Sequence, residues 1–339
     1  MLSKVIPEEK IIATLKAINK ADKIVIVTHK SPDGDAIGSS LGLYHFLYSQ
    51  EKATDIVVPD TIPDYLKGLP SVSEIAVHSE DPERAEKLVA EAQLLFCLDF
   101  NTPSRTGALA QLVTQSGARK ILIDHHTDPD NFADVCISHP ELCSTSELIF
   151  RLICRMGYFS EMTLESAHCI CAGILTDTGG LAYNSNSPKL YTIMGELLGK
   201  GVDKDLLYRQ LFNTYSEQRM RLMGYFLSQK MEVLPEYQTA VTAMSAEELR
   251  RFNYQPGDIE GFVNLPLSIS GIRFSVFMRE HNDSIKISLR SVGDIPCNRI
   301  AAELFNGGGH KNASGGESQL GLEETKQILI QALPRYFKH

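Results

Sequence analysis

Four short stretches carry side chains that could act together on one substrate. In His29-Lys-Ser-Pro-Asp33-Gly34-Asp35 an imidazole and two carboxylates fall within seven residues, and Gly34 lets the loop turn so that both carboxylates can face one point. Asp99 follows the apolar run LLFCL, Asp124-His125-His126 closes the run KILID, and Asp177 ends an apolar stretch with Gly179 and Gly180 behind it. Singly, each has an ordinary explanation: Pro-Asp-Gly-Asp is common turn and N-cap chemistry, and an Asp after a strand often caps the next helix. Together they put these carboxylates and two or three imidazoles at the ends of elements in one part of the chain. Carboxylate with imidazole and no thiolate suits Mn2+, Mg2+ or a similar ion rather than structural zinc. Four carboxylates at one point would repel a phosphate. Two divalent ions offset that charge, lower the pKa of a bridging water and, about 3.5–4 Å apart, clamp the attacking and leaving oxygens of an in-line displacement. Metal-assisted phosphoester hydrolysis is the chemistry predicted, with Asp124 free to orient a neighbouring histidine.

The elements that must position these groups read as α/β. The β-rich runs KIVIVT (23–28), DIVVP (55–59), LLFCL (94–98) and KILID (120–124), with a weaker EIAVH (74–78), alternate with helical stretches such as 36–50, where Ile37, Leu41, Tyr44, Leu47 and Tyr48 share one face. That alternation predicts a parallel sheet covered by helices, whose strand ends can converge on one ligand. Residues 187–230 read as a helical connector, broken at Gly199-Lys-Gly201 and capped at Asp203. After it come a strand at 238–245, a short helix, a hairpin of 272–280 with 284–291, a helix through Ile300 to Phe305, the cluster GGGHKNASGG (307–316) and a closing helix through Leu333. The expected division is a parallel-sheet catalytic domain over 1–186, the connector over 187–230 and a smaller α/β domain over 231–339.

Composition removes several classes of function. At 339 residues there is room for two cores. The formal net charge of −9 argues against holding long or duplex nucleic acid by phosphate neutralisation, so a phosphate must be met locally. Seven cysteines, none spaced C-x-x-C, spell neither a disulfide framework nor a zinc ribbon. No apolar run approaches the roughly 18 residues of a membrane span, and MLSKVIPEEK lacks the apolar core of a signal peptide. The expectation is a cytoplasmic protein with no membrane partner.

In this order, His29-x-x-x-Asp33-x-Asp35, Asp99, Asp124-His125-His126 and Asp177 resemble the four motifs of the DHH phosphoesterase superfamily. GGGHKNASGG, preceded by SLRS, is similar to the DHH-associated C-terminal domain, so the resemblance covers essentially the whole chain. It implies that His29, Asp33 and Asp99 hold one metal ion and that Asp35, Asp99, His125 and Asp177 hold the other. Asp99 bridges, Asp124 stands behind, and His126 touches the scissile phosphate. The ions implied are two Mn2+, with Mg2+ or Co2+ as substitutes. The resemblance also makes Arg290, Gly308, Gly309, His310, Lys311, Asn312, Ala313 and Ser314 candidates for gripping the far end of the substrate. Independently, glycines beside a basic residue offer N–H groups and a cation to an anion. Arg105, six residues past Asp99, is a further candidate.

Within the superfamily the chain looks most like the nanoRNase and pAp-phosphatase branch, whose substrates are short single-stranded RNA and 3′-phosphoadenosine 5′-phosphate (pAp). A homodimer is compatible with this. Enzymatic alternatives are a phosphodiesterase for cyclic or linear dinucleotides (c-di-AMP, pApA) and a RecJ-like single-strand exonuclease, although the latter usually carries an additional nucleic-acid-binding domain. Family II pyrophosphatases and exopolyphosphatases share the first motifs with a different C-terminal domain. A non-catalytic nucleotide sensor is the alternative from another class, and it has no need of a full ligand set.

Overall fold

The computed structural model describes residues 4–255 and 257–337, so the outermost residues of the expected domains lie outside it. The chain forms two compact units, one through Thr214 and one from Tyr215.

The first unit runs α1 (Glu8–Lys20), β1 (Ile24–Val27), α2 (Gly34–Ser49), β2 (Thr54–Val58), β3 (Ala76–Val77), α3 (Pro82–Glu91), β4 (Leu94–Leu98), α4 (Ala110–Gln115), β5 (Arg119–Asp124), β6 (Val135–Ser138), α5 (Thr145–Arg155), α6 (Leu164–Asp177), α7 (Pro188–Gly199) and α8 (Lys204–Phe212). Its six strands form a parallel sheet in the order β3-β2-β1-β4-β5-β6. Successive strand residues feed opposite faces: Ile24, Ile26, Phe96 and Ile121 pack into one core, Val25, Val27, Leu95 and Leu122 into the other. Apolar side chains on both faces are what a parallel sheet between two helical layers requires. The strand β6 and the helix α5 had no counterpart in the sequence reading, and the weak run at 74–78 yields only the two-residue β3.

In this strand order the direction of winding reverses between β1 and β4, and the carboxyl ends of the strands at such a point frame the ligand crevice. Val27 is level with Cys97, and Leu98 with Ile123. Continuing that register puts His29, Asp99 and Asp124 side by side at the ends of three adjacent strands.

A second device brings Asp177 to the same place. The helices α2 and α6 run antiparallel with bare glycine faces between them: a Cβ on Gly34 would lie 2.3 Å from Thr176 Oγ1, one on Gly38 2.7 Å from both the Cys169 carbonyl oxygen and the Gly173 nitrogen, and one on Gly42 2.6 Å from Ile170 Cγ1. Contact this close sets the N-terminus of α2, with Asp35, against the C-terminus of α6, with Asp177.

The stretch expected as a connector is helical but is not a separate element. Leu190, Ile193, Met194 and Leu197 of α7 and Leu207 and Leu211 of α8 are buried in the first core. The next helix, α9 (Glu217–Tyr225), and the π-turn Phe226–Lys230 bury Leu222 and Phe226 in the second unit. An amphipathic spacing predicts a buried face without saying which core covers it.

The second unit continues with β7 (Met231–Leu234), β8 (Thr239–Met244), α10 (Ala246–Arg251), β9 (Phe274–His281), β10 (Ser284–Ser291), α11 (Cys297–Phe305), β11 (Gly308–His310), β12 (Ala313–Ser318) and α12 (Leu322–Tyr336). Its sheet, β11-β12-β10-β9-β8-β7, is mixed, with only β8 and β9 parallel. Along β10, Ile285, Ile287 and Leu289 face a core closed by α11 and α12, so Arg290 falls on the opposite face. The glycine cluster forms a hairpin of β11 and β12. Gly307 and Gly316 are there for closeness: Cβ atoms would lie 2.1 Å from the Gly315 carbonyl oxygen and 2.6 Å from Phe305 Cβ. Among the described residues no helix is long and apolar enough to cross a membrane.

Gly38→Ala should destabilise the protein by about 1–3 kcal/mol, because its new methyl meets backbone that cannot swing aside. Gly195→Ala, inside α7 with nothing within 4 Å, should be neutral or stabilising by up to about 1 kcal/mol. Denaturant unfolding of the two variants compares them directly, and equal losses would mean that the α2–α6 contact is not the constraint inferred here.

Candidate active site

Six side chains close on one volume at the carboxyl ends of β1, β4 and β5. His29 Nε2 lies 3.4 Å from Asp99 Oδ2 and 3.8 Å from Asp33 Oδ1. On the other side of Asp99, His125 Nε2 lies 3.6 Å from Asp99 Oδ1, 3.5 Å from Asp177 Oδ2 and 3.9 Å from Asp35 Oδ2. Three overlapping sets of donors, His29-Asp33-Asp99, Asp35-His125-Asp177 and Asp99-His125-His126, are each compact enough to hold an ion, and Asp99 sits between the first two with one oxygen toward each of His29 and His125.

Each donor is aimed by something behind it. His29 Nδ1 donates to the Lys30 carbonyl at 2.8 Å, which turns Nε2 toward the carboxylates. Asp33 is the N-cap of α2, its Oδ1 accepting from the N–H groups of Asp35 and Ala36 at 3.1 Å, so the cap explanation and the site explanation are both true of it. Asp35 is held from a distance: the first two N–H groups of α5, Thr145 and Ser146, donate to its two oxygens at 2.6 and 2.9 Å. Thr145 Oγ1 donates to Asp99 Oδ1 at 3.0 Å. A carboxylate at a helix N-terminus is favoured by the unpaired N–H groups there and by the helix dipole. Asp99 itself has φ = 64°, a left-handed conformation uncommon outside glycine and held here by its N–H bond to the Ile123 carbonyl at 3.1 Å.

His126 shares a third donor set with Asp99 and His125 but is tied to a different partner. Its Nδ1 bonds Asp124 Oδ1 at 2.7 Å and lies 3.9 Å from Asp99 Oδ1. Asp124 is fully buried, and this bond makes His126 the histidine that it orients. Arg105 is half-buried; its backbone carbonyl accepts the Lys30 N–H at 2.7 Å, and its charge bears on His126.

The electrostatics mark a site that lacks positive charge. Burial raises Asp177 to about 7, with His125 opposing and Asp99 and Asp33 reinforcing. Burial also pushes Asp35 well above the ordinary carboxylate range, and the charges of Asp99 and Asp177 act the same way. Burial would lift Asp99 too, but the hydrogen bond from His29 and the charge of His125 outweigh it and hold Asp99 low. For His126, burial disfavours the charged form, yet the bond to Asp124 and the charge of Asp99 raise its pKa. Oxygen and imidazole donors among crowded carboxylates fit divalent cations of the Mn2+ and Mg2+ kind.

The remaining candidates lie in the second unit and form their own group. Arg290 pairs across β10–β12 with Ala313, and Ala313 pairs across β12–β11 with His310, so the three lie in one row with the small alanine between two functional groups. Arg290 is half-buried, and among the described residues no carboxylate pairs with it; burial lowers its pKa. His310, Gly308 and Gly309 are exposed. Three other side chains serve the framework: Asn312 Nδ2 donates to Ser291 Oγ at 2.8 Å, Ser314 Oγ to the His310 carbonyl at 2.7 Å, and Lys311 Nζ to Asp294 Oδ1 at 2.8 Å.

The DHH family model, described as its N-terminal domain, matches residues 23–174, and the DHHA1 domain matches 237–339. A bifunctional oligoribonuclease and PAP phosphatase, NrnA, of Thermus thermophilus is 35% identical over 321 residues, which cover 94% of this chain and 91% of that protein. The chain belongs to the DHH family. The crystal structure of an exopolyphosphatase-related protein from Bacteroides fragilis, 55% identical, superposes with a TM-score of 0.97 over 99% of this chain and 98% of that one. RecJ of Thermus thermophilus in complex with Mn2+ matches at a TM-score of 0.57 and 16% identity, over 97% of this chain and 54% of that one, which is a likeness of fold. The strand ends that carry His29, Asp99 and Asp124 and the loop before α2, all singled out in the sequence, fall within the matched DHH region, as do Thr145 and Ser146, which were not; Asp177 lies three residues beyond it. Ser144-Thr-Ser-Glu147 before an apolar run is a helix-start signal, and Ser144 does cap α5. Nothing local says that this cap faces Asp35.

The crowded carboxylates fix the sign of a pH effect. A carboxyl group with a raised folded-state pKa binds more protons folded than unfolded, so stability falls as pH rises between the two values. For Asp177 that window runs from its ordinary 3.8 to about 7. Metal-stripped protein should therefore lose melting temperature between pH 4 and pH 7. Asp177→Asn should flatten the decline, and a saturating divalent ion should reverse it; scanning calorimetry across that range is the measurement.

Proposed function

We propose that this chain is a two-metal phosphoesterase that hydrolyses short oligoribonucleotides to mononucleotides and removes the 3′-phosphate of pAp to give AMP. The observation that carries the reading is the pair of donor sets that meet on either side of Asp99 at the point where the sheet's winding reverses. The Thermus relative of matching length supplies the substrate class.

In this reading His29, Asp33 and Asp99 hold one ion, and Asp35, Asp99, His125 and Asp177 the other, with Mn2+ the favoured ion. Bound divalent ions supply positive charge among four carboxylates and Lewis acidity toward phosphoryl oxygens. The protein's own part is to orient and to hold protons. Thr145 and Ser146 fix the oxygens of Asp35 and Asp99. His126, its Nδ1 committed to Asp124, presents Nε2 to the scissile phosphate, and its raised pKa favours the cation that donates there. Arg105 adds charge nearby. In the second unit Arg290 and His310, with N–H groups of the glycine-rich hairpin, bind an anionic group of the substrate. A net charge of −9 gives little long-range attraction for a polyanion, so affinity comes from these local contacts and favours short substrates. Seven free thiols suit the reducing cytoplasm that holds such substrates.

Polyphosphate hydrolysis is the second reading, favoured by the name of the 55% identical Bacteroides protein. Turnover with Mn2+ on pAp, pApA, polyphosphate and RNA of 2, 5 and 24 nucleotides separates the two. The dimer and pAp should be turned over well and the 24-mer poorly. A 24-mer degraded as efficiently as the dimer, or turnover of polyphosphate alone, would overturn the proposal, as would full activity in chelator.

Two variants test the division of labour. Asp99→Ala should lower kcat by more than about 100-fold, beyond what outer partners of metal ligands contribute. Arg290→Ala should raise KM about 10- to 150-fold with metal content unchanged, since a charge-assisted bond to phosphate contributes about 1.5–3 kcal/mol.

A further inference from the structure

The loop that follows Asp177 is built to hold aromatic rings in water. Gly179 and Gly180 are left-handed, with φ of 56° and 72°, and each carries a tyrosine ring directly against its bare Cα. A Cβ on Gly179 would lie 2.7 Å from Tyr183 Cδ2, and one on Gly180 2.7 Å from Tyr208 Cε2. Two more residues of the loop, Leu181 and Asn184, are also left-handed, with φ of 71° and 43°. The strain is held by the buried Thr178, whose carbonyl accepts the N–H groups of Ala182 and Tyr183 at 2.9 Å and whose Oγ1 accepts that of Leu181 at 3.0 Å. Despite this bracing Tyr183 is 66% exposed and Tyr208 38%. Tyr208 is backed by Phe212, ring centroids 4.7 Å apart.

Non-glycine residues held left-handed cost free energy and persist where the surroundings enforce them. A loop that accepts that cost to present an uncovered phenol ring, two to six residues past a carboxylate of the phosphate site, needs an occupant with a flat apolar face. We propose that Tyr183, with Tyr208 against the next glycine, is the stacking platform for a nucleobase of the substrate. This rests on the nucleotide reading above and deepens it. A phosphate ester held near Asp177 carries a nucleoside within one step of the rings, and stacking accepts any base because every base has a π-face. The two glycines are required because any side chain there would displace the rings.

The test is equilibrium binding of AMP and of ribose 5-phosphate to wild type, Tyr183→Ala and Tyr183→Phe, by titration calorimetry with Mn2+ present. Tyr183→Ala should weaken AMP about 5- to 150-fold, the range that loss of one base–aromatic stack gives, while Tyr183→Phe keeps wild-type affinity. Ribose 5-phosphate should bind all three alike. On an RNA dimer the alanine variant should raise KM with kcat unchanged. The platform is overturned by wild type binding AMP no more tightly than ribose 5-phosphate, by an alanine variant that binds AMP normally, or by one that loses both ligands equally, which would make Tyr183 a support for the loop. If wild type turns over polyphosphate and no RNA, the function reading fails. Base-dependent AMP binding lost in Tyr183→Ala would then still stand for the platform.

Discussion

Four carboxylates confined to one small volume repel each other, and the first unit is arranged to hold them there. Two of the three means are geometric: parallel strands in register deliver His29, Asp99 and Asp124 side by side, and the glycine contact of α2 with α6 brings Asp35 to Asp177. The third is electrostatic. The N-terminus of α5 neutralises Asp35 with two N–H groups and reaches Asp99 with a hydroxyl. What these do not cancel is left as raised pKa values on Asp35 and Asp177, a deficit of positive charge that divalent ions fill. Folding and ion binding are thereby coupled, because the same repulsion that weakens the empty protein strengthens the loaded one.

How much of this was legible in the sequence depends on whether the information is local. Strand runs ending in Asp or His announced the candidate site because period and terminus lie in the same few residues, and the runs 272–280 and 284–291 announced the hairpin of β9 and β10. Thr145 and Ser146 were missed because their partner is 110 residues away, and a helix-start signal looks the same whatever it caps. The stretch 187–230 shows a related limit: the apolar positions of α7 and α8 show that they are buried but not that the first core buries them. Gly38 and Gly42 were read past within a helical pattern. Their meaning lies in Cys169, Ile170 and Gly173 opposite.

The two units solve different problems with glycine. In the first, bare Cα atoms let helices approach until two carboxylates share a site. In the second, they let β11 and β12 close over the end of α11 while Arg290, Ala313 and His310 line up across three strands. A small side chain between a guanidinium and an imidazole leaves room for an anion to touch both.

The left-handed backbone at Asp99 has a consequence for anyone breeding this protein for robustness. Glycine adopts that conformation without strain and would also remove a buried charge. The substitution that most relaxes the fold at this point is therefore the one that destroys its bridge between donor sets. Selection for heat resistance alone would be drawn toward sturdier, inert descendants, so any such screen must be coupled to turnover at every round.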